Sequence, residues 1–94
     1  MAWKEKSIHS TIKLLGADPD LIREKHILID LIKKARKEQA ITQSQLAKKL
    51  GLTQGRIAQI ESKVGTYNVT LDILLSILNS LKYTYKINVR KQAA

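Results

Sequence analysis

Two short helical segments on either side of a glycine constrain the fold of this chain more than any other feature. They occupy residues 42–62, TQSQLAKKLGLTQGRIAQIES. Thr42 and Gln45 have the spacing of a capping box, in which each side chain satisfies a free backbone amide at a helix start. Gly51 predicts the end of the first helix, because glycine readily adopts the left-handed conformation, and Thr53 predicts the cap of the second. Two short helices around a tight turn indicate a helix-turn-helix arrangement.

The second of these helices has a polar face suited to the major groove of DNA. At about 100° per residue, Ile57 and Ile60 fall together on one side and are expected to be buried. Glutamine can donate and accept hydrogen bonds in one plane, which matches the major-groove edge of adenine, and an arginine at the flank is placed to reach a guanine or a phosphate. The competing interpretation is an ordinary solvated helix face. The candidate base contacts are Gln54, Gly55, Arg56 and Gln59.

The flanking segments predict a mostly α-helical bundle of four to five helices. Asp18-Pro19 is a helix-start signal, and the helix is expected to reach about Gln39, either continuously or with a break near Lys25-His26. Thr70 is expected to cap a leucine-rich helix that ends near Leu81. The buried stripe of the helix after Pro19 is expected to consist of Leu21, Leu28, Leu31, Ile32 and Ala35.

The segment from Tyr83 to Arg90 alternates between apolar and polar residues, which is the period of a β-strand. A single strand in a helical domain has open backbone groups and no sheet to join, so we expect it to pair with its copy across a homodimer. We divide the chain into a leader, 1–25, helical or partly mobile, a helix-turn-helix domain, 26–82, and a dimerisation strand with a tail, 83–94. The strand residues expected at the dimer contact are Tyr83, Tyr85, Ile87 and Val89.

The charge of the chain points to a polyanionic partner. Seventeen Lys and Arg against eight Asp and Glu give a net charge of +9, which favours nucleic acid or an anionic membrane surface. Residues 33–63 hold eight of the basic side chains and two acidic ones, a net charge of +6. We expect no membrane partner, because the basic stretch Lys33–Lys37 has no matching exposed apolar face.

Several functional classes fit the sequence poorly. The chain has no cysteine, and its two histidines, His9 and His26, are not at ligand spacing, so we expect no metal site. No glycine-rich phosphate loop precedes a helix, and we expect neither a cofactor nor an enzyme activity. The first residues, MAWKEKSIHSTIK, lack the apolar core of a secretory signal, and no stretch is apolar and long enough to span a bilayer. A cytoplasmic protein is the expectation.

Residues 26–81 resemble the Cro and phage-repressor class of helix-turn-helix domains, the XRE family, whose fold is that of lambda repressor. The resemblance implies that Gln43 hydrogen-bonds a phosphate and that the positions of Gln54, Gly55 and Gln59 contact bases, although glycine at 55 departs from the polar residue often found there. It also implies a structural salt bridge between Arg36 and Glu61. The residues that carry the resemblance are Arg36, Thr42, Gln43, Leu46, Ala47, Gly51, Thr53, Gln54, Ile57, Ile60 and Glu61.

The same resemblance implies contacts to the DNA backbone from the helix starts and from the loop after the second helix. This expectation covers more residues than the base contacts do, because phosphates take at least half of all protein–DNA hydrogen bonds. The expected phosphate contacts are Gln43, Thr53, Ser62, Lys63, Thr66, Tyr67 and Asn68.

Both ends of the domain resemble those of antitoxins. YTYKINVR is similar to the C-terminus of HipB-type antitoxins, whose strands pair between subunits, and DPDLIREKHILIDLIKKARKEQ resembles the leader helix of HigA-type antitoxins. These resemblances imply a repressor that binds pseudo-palindromic double-stranded operator DNA, controls its own type II toxin-antitoxin operon and binds a cognate toxin, either a HipA-like kinase or a RelE-like ribonuclease. The alternative is a free-standing XRE-family regulator with a strand-swapped dimer and no toxin.

Overall fold

Four α-helices and one 3-10 turn follow one another in this computed structural model, which describes residues 18–89 and 91. The mostly helical fold expected from the sequence is confirmed. Residues 1–17 of the predicted leader lie outside the described residues. The helices are α1, Pro19–Glu38; α2, Gln43–Leu50; α3, Gln54–Glu61; and α4, Leu71–Ser80, with the 3-10 turn Thr66–Asn68 between α3 and α4.

The predicted helix starts and the predicted stop are confirmed by local hydrogen bonds. The Thr42 hydroxyl accepts from the Gln45 amide at 3.0 Å, and the Gln45 side chain accepts from the Thr42 amide at 2.8 Å. Asp18, Thr53 and Thr70 each cap the helix that follows them. These bonds satisfy amides that have no partner inside the helix, and so they fix where each helix begins.

Helix α1 is continuous over 20 residues, so the possible break near Lys25-His26 does not occur, and the expected boundary between residues 25 and 26 falls inside this helix. The expected buried stripe is only partly right. Ile29 is fully buried with Ile32 and Ala35, whereas Leu28 and Leu31 are only partly buried against the core and Leu21 is half-buried outside it. Apolar residues occupy both faces of this stretch, and packing against α3 and α4 decides which face is buried.

All four helices contribute to the core: α1 packs on α3 and α4, and α2 packs on the same two helices. The leucine stripe of α4 is buried as predicted at Leu74 and Leu78, and Ile77 joins it. No helix within residues 18–89 is long and apolar enough to cross a membrane. The fully buried side chains of the core are Ile29, Ile32, Leu46, Ile57, Ile60, Val69, Leu74, Ile77 and Leu81.

The C-terminal segment does not form the predicted strand within this single chain. Residues 83–89 have no regular secondary structure, and no strand is present anywhere in residues 18–89 with which they could pair. Tyr83 packs against the core, whereas Tyr85, Ile87 and Val89 are 57%, 66% and 88% exposed. This segment borders an apolar concavity of about 420 Å³, here called the α1/α4 groove, which is lined in part by Leu21, Leu28, Leu71, Leu75, Tyr85 and Ile87.

Candidate nucleic-acid interface

The turn between α2 and α3 positions the second helix of the motif. Gly51 has a φ of 71°, in the left-handed region, and the Leu52 amide donates to the Ala47 carbonyl at 2.8 Å. Ala47 is 2% exposed, and its small side chain lets the two helices approach closely. Ile57 and Ile60 are buried as predicted. The opposite face of α3 is therefore turned toward solvent.

A buried ion pair fastens the end of α3 to α1, as the resemblance implied. Arg36 donates to the two carboxylate oxygens of Glu61 from Nε at 2.7 Å and from Nη2 at 2.9 Å, and its Nη1 donates to the Ile41 carbonyl at 2.8 Å. Glu61 is 4% exposed. Two parallel hydrogen bonds fix both the distance between the guanidinium and the carboxylate and their relative orientation. The pair therefore sets the orientation of α3 against α1.

The environment of Glu61 keeps its carboxylate charged. Burial alone raises the pKa of Glu61, but the hydrogen bonds from Arg36 and Gln43 and the positive charges of Arg36 and Lys33 outweigh this, so the pKa lies below its usual value. The pKa of Arg36 is raised by its hydrogen bond to Glu61. Both groups are therefore ionised across the neutral range.

A chain of hydrogen bonds leads from this buried pair to the exposed start of α3. Gln43 Nε2 donates to Glu61 Oε1 at 3.0 Å, and Gln54 Nε2 donates to Gln43 Oε1 at 2.8 Å. Gln43 is half-buried and Gln54 is exposed. The expected phosphate contact at 43 and the expected base contact at 54 are thus adjacent side chains, and each holds the other in one orientation.

Of the remaining candidate base contacts, Gly55 and Gln59 lie on the outer face of α3 and Arg56 is half-buried at its flank. Gln59 and Gly55 are exposed, and Arg56 Nη1 donates to Gln59 Oε1 at 3.1 Å. A Cβ built on Gly55 would meet no atom within 4 Å. The surface above Gly55 is therefore open, and the backbone there can come close to a ligand.

Most of the expected phosphate contacts follow α3, whereas Thr53 precedes it, and several of these side chains already have partners. The Ser62 hydroxyl donates to the Gln59 carbonyl at 2.7 Å, and Lys63 Nζ lies 2.8 Å from Asp30 Oδ1. Thr53 uses its hydroxyl to cap α3. Exposed positions next to a helix end remain accessible to a phosphate, because such bonds are readily exchanged in water.

The side chain of Thr66 is placed differently from the expected phosphate contact. Thr66 is 4% exposed. Its hydroxyl donates to the Lys63 carbonyl at 2.9 Å and accepts from His26 Nε2 at 3.1 Å. The side chain is thus directed inward and stabilises the loop, whereas the next two residues, Tyr67 and Asn68, are exposed.

Sequence reasoning did not single out a basic concavity between α1 and α3. This space of about 270 Å³ is lined in part by Lys33 and Lys37 from α1 and by Gln43 and Ser62, with the Arg36–Glu61 pair also at its wall. The signal was present in the helical spacing, because Lys33 and Lys37 are four residues apart and so fall on one face of α1. These lysines place positive charge on α1 beside α3.

The comparisons with known proteins agree with this geometry. A family model described as helix-turn-helix matches residues 32–87, which is more than half of the chain. No curated protein and no solved structure matches the chain. The matched region begins in the middle of α1 and includes α2, α3, α4 and most of the C-terminal segment.

Proposed function

Because this chain belongs to the XRE-type helix-turn-helix family, we propose that it is a sequence-specific transcriptional repressor that inserts α3 into the major groove of operator DNA. The observation that supports this most is the exposed glutamine at the start of α3, held by Gln43, which is in turn held by the buried Arg36–Glu61 pair. Regulators of this kind act in the cytoplasm. We assign no cofactor and no enzyme activity to the protein.

Base readout in this proposal comes from the outer face of α3. Gln54 and Gln59 each present a donor and an acceptor, which suits adenine, and Gly55 lets the helix backbone come near the base pairs. Arg56, which now bonds Gln59, reaches a guanine or a neighbouring phosphate. Bidentate pairs of this type discriminate between bases, whereas the contacts around them fix register.

Backbone contacts in this proposal surround α3. They come from the α2 and α3 starts and from the loop after α3, with Lys33 and Lys37 adding positive charge from α1. Thr66 takes a structural role, because its hydroxyl is buried and doubly bonded. The phosphate-contacting residues are proposed to be Gln43, Thr53, Ser62, Lys63, Tyr67 and Asn68.

A salt-titrated binding assay with duplex DNA tests this function. The logarithm of affinity should fall linearly with the logarithm of salt, with a slope of about −0.9 for each neutralised phosphate. A matched pair of variants is available, because Lys63 and Lys82 are both lysines in the left-handed conformation, with φ of 64° and 67°. Lys63→Ala should weaken binding and Lys82→Ala should not. A flat salt response would exclude the proposed function.

We further propose that the protein acts as a two-fold dimer closed by residues 83–90. In support, this segment carries a row of exposed apolar side chains, Tyr85, Ile87 and Val89, and borders the α1/α4 groove. Pairing of two such segments would satisfy their backbone groups and cover apolar surface. A two-fold dimer on DNA requires a pseudo-palindromic operator with half-sites about 34 Å apart.

We also propose a more specific role for this repressor, as the antitoxin of a type II toxin-antitoxin operon. Its support is the resemblance of both ends to antitoxins, together with apolar surface near Leu21 and Leu28 that the DNA-binding motif does not use. The partner would be a HipA-like kinase or a RelE-like ribonuclease. Co-expression with the adjacent open reading frame tests this proposal. If the neighbouring protein is not toxic alone, or does not co-purify with this one, the antitoxin role is excluded and the free-standing regulator remains. The family match is equally compatible with that alternative.

A further inference from the structure

An acidic residue of α1 lies beside the loop that follows α3. Asp30 is on α1, three residues before Lys33, and its carboxylate oxygen Oδ1 lies 2.8 Å from Lys63 Nζ. Lys63 directly follows Ser62, the residue at the end of α3. In the proposed function, the Lys63 ammonium group binds a DNA phosphate. The Asp30 carboxylate already pairs with that ammonium group, and it would also repel the phosphate.

Two contacts from neighbouring turns of α1 hold the loop after α3, and only one of them involves Asp30. His26 donates to the Thr66 hydroxyl at 3.1 Å, and Thr66 donates to the Lys63 carbonyl at 2.9 Å. The backbone of Lys63 is therefore fixed through His26 and Thr66, whereas its ammonium group depends on Asp30. Loss of the Asp30 carboxylate should release the Lys63 side chain and leave the loop in place.

The Asp30–Lys63 pair is open to exchange. The side chains of Lys63 and Asp30 are 36% and 59% exposed, and ion pairs in water contribute little to stability. The pKa of Asp30 lies below its usual value, first because of the hydrogen bond from Lys63 and further because of the charges of Lys63 and Lys33. Asp30 is thus a carboxylate at neutral pH, where it competes with a phosphate for the same cation.

We propose that Asp30 restrains Lys63 in the free protein as an internal substitute for a DNA phosphate, and that it thereby lowers the affinity for DNA of any sequence. The proposal rests on the proposed function and adds to it a residue that limits the electrostatic, sequence-independent part of binding. When DNA binds, Lys63 exchanges the carboxylate for a phosphate. This exchange breaks the Asp30–Lys63 pair and leaves the Asp30 carboxylate near the negatively charged DNA backbone.

A double-mutant cycle tests this proposal on a fluorescent duplex of mixed sequence at low salt. Asp30→Asn should tighten binding by about 1.5- to fivefold, the range expected for one exposed charge pair. The gain should be much smaller in the Lys63→Ala background, where no ammonium group remains to be released. Asp20→Asn is the matched control: Asp20 is on the same helix and in an exposed pair with Arg23, so it reports the effect of losing one negative charge and one exposed pair that does not involve Lys63.

Each other outcome of the cycle overturns the proposal. Equal gains from Asp30→Asn in the two backgrounds would mean that Asp30 acts by repulsion alone, without Lys63. No gain, a loss of affinity, or a gain no larger than that of Asp20→Asn would also contradict it. A native protein that binds no duplex at low salt overturns the proposed function together with this inference, whereas native binding without the expected gain overturns this inference alone. An unchanged thermal unfolding midpoint confirms that Asp30→Asn remains folded.

Discussion

Gln54 donates a 2.8 Å hydrogen bond from its side-chain amide to the side-chain oxygen of Gln43. Gln43 in turn donates to Glu61, which is held at two points by Arg36. The exposed glutamine at the start of α3 is therefore connected to a buried ion pair through one side chain. Holding a side chain in one orientation before binding reduces the entropy lost when it contacts a base.

Substitution of the two glutamines on α3 should change base preference. Gln54→Ala and Gln59→Ala are each expected to lose about 1–3 kcal/mol of binding free energy on the preferred site, because each removes a two-point contact to a base edge. Selection from a pool of randomised duplexes, before and after substitution, measures the preference directly.

Lys63→Ala is the control for this selection. It should weaken binding to all sequences alike, because a phosphate contact carries no direct sequence information. If the glutamine variants keep the native ratio of affinity between the selected site and random DNA, then the base contacts have been assigned to the wrong residues.

Glu61→Gln should destabilise the fold at neutral pH but not in acid. The pKa of Glu61 is lowered in the folded state, so its contribution is complete above the usual glutamate pKa of about 4.3 and disappears as the pH falls through the lowered value. We expect a loss of about 1–3 kcal/mol at pH 7, because the variant weakens charged hydrogen bonds to Arg36. Denaturant unfolding at several pH values measures it.

Glu38→Gln provides the comparison, because Glu38 is an exposed carboxylate at the end of α1, the helix that carries Arg36. Its free energy of unfolding should change little at any pH. A Glu61→Gln variant with the native pH dependence of stability would show that the Arg36–Glu61 pair does not carry the acid sensitivity.

The two glycines of the motif should respond to alanine with opposite signs. A Cβ at Gly51 or at Gly55 would meet no atom within 4 Å, so only backbone conformation separates them. Gly51 has a φ of 71°, and Gly51→Ala should cost about 1–2 kcal/mol. Gly55 lies inside α3, and Gly55→Ala should stabilise the free protein by about 0.5–1 kcal/mol. Thermal unfolding of both variants measures these changes in stability. If both substitutions stabilise the protein, or both destabilise it, backbone conformation does not explain the difference between the two glycines.

A bulky residue at position 55 should separate folding from DNA binding. Gly55→Leu projects into open solvent in the free protein, so the helix should form, but the leucine would hold the backbone of α3 away from the base pairs. We expect normal helicity by circular dichroism and clearly weaker binding to the selected site than for Gly55→Ala. Native affinity in Gly55→Leu would mean that the outer face of α3 does not approach DNA.

Removal of residues 83–94 should give a folded monomer. No helix lies within 83–89, so helicity should persist, while the surface proposed to close the dimer is lost. Sedimentation equilibrium measures the mass. Ile87→Lys is a gentler variant of the same test, because Ile87 is 66% exposed and should matter only at a dimer contact. A tight dimer in both variants would place the interface elsewhere.

Local interactions allowed much of the site to be predicted from the sequence. The helix starts at Thr42 and Thr53 and the stop at Gly51 depend on atoms within four residues along the chain, so residue type and spacing are sufficient. The inward face of α3 followed from helical periodicity, which Ile57 and Ile60 confirm. The Arg36–Glu61 pair came from the family resemblance.

Tertiary packing determined which face of α1 is buried and which distant residues come into contact, and local sequence patterns do not specify either. Apolar residues occur on both faces of α1, and only contact with α3 and α4 selects Ile29 rather than Leu28 for full burial. The same docking brings Asp30 to Lys63 and His26 to Thr66, which are 33 and 40 positions apart in the sequence. These relationships depend on how two helices are oriented in space, and that orientation is the result of the whole core forming together.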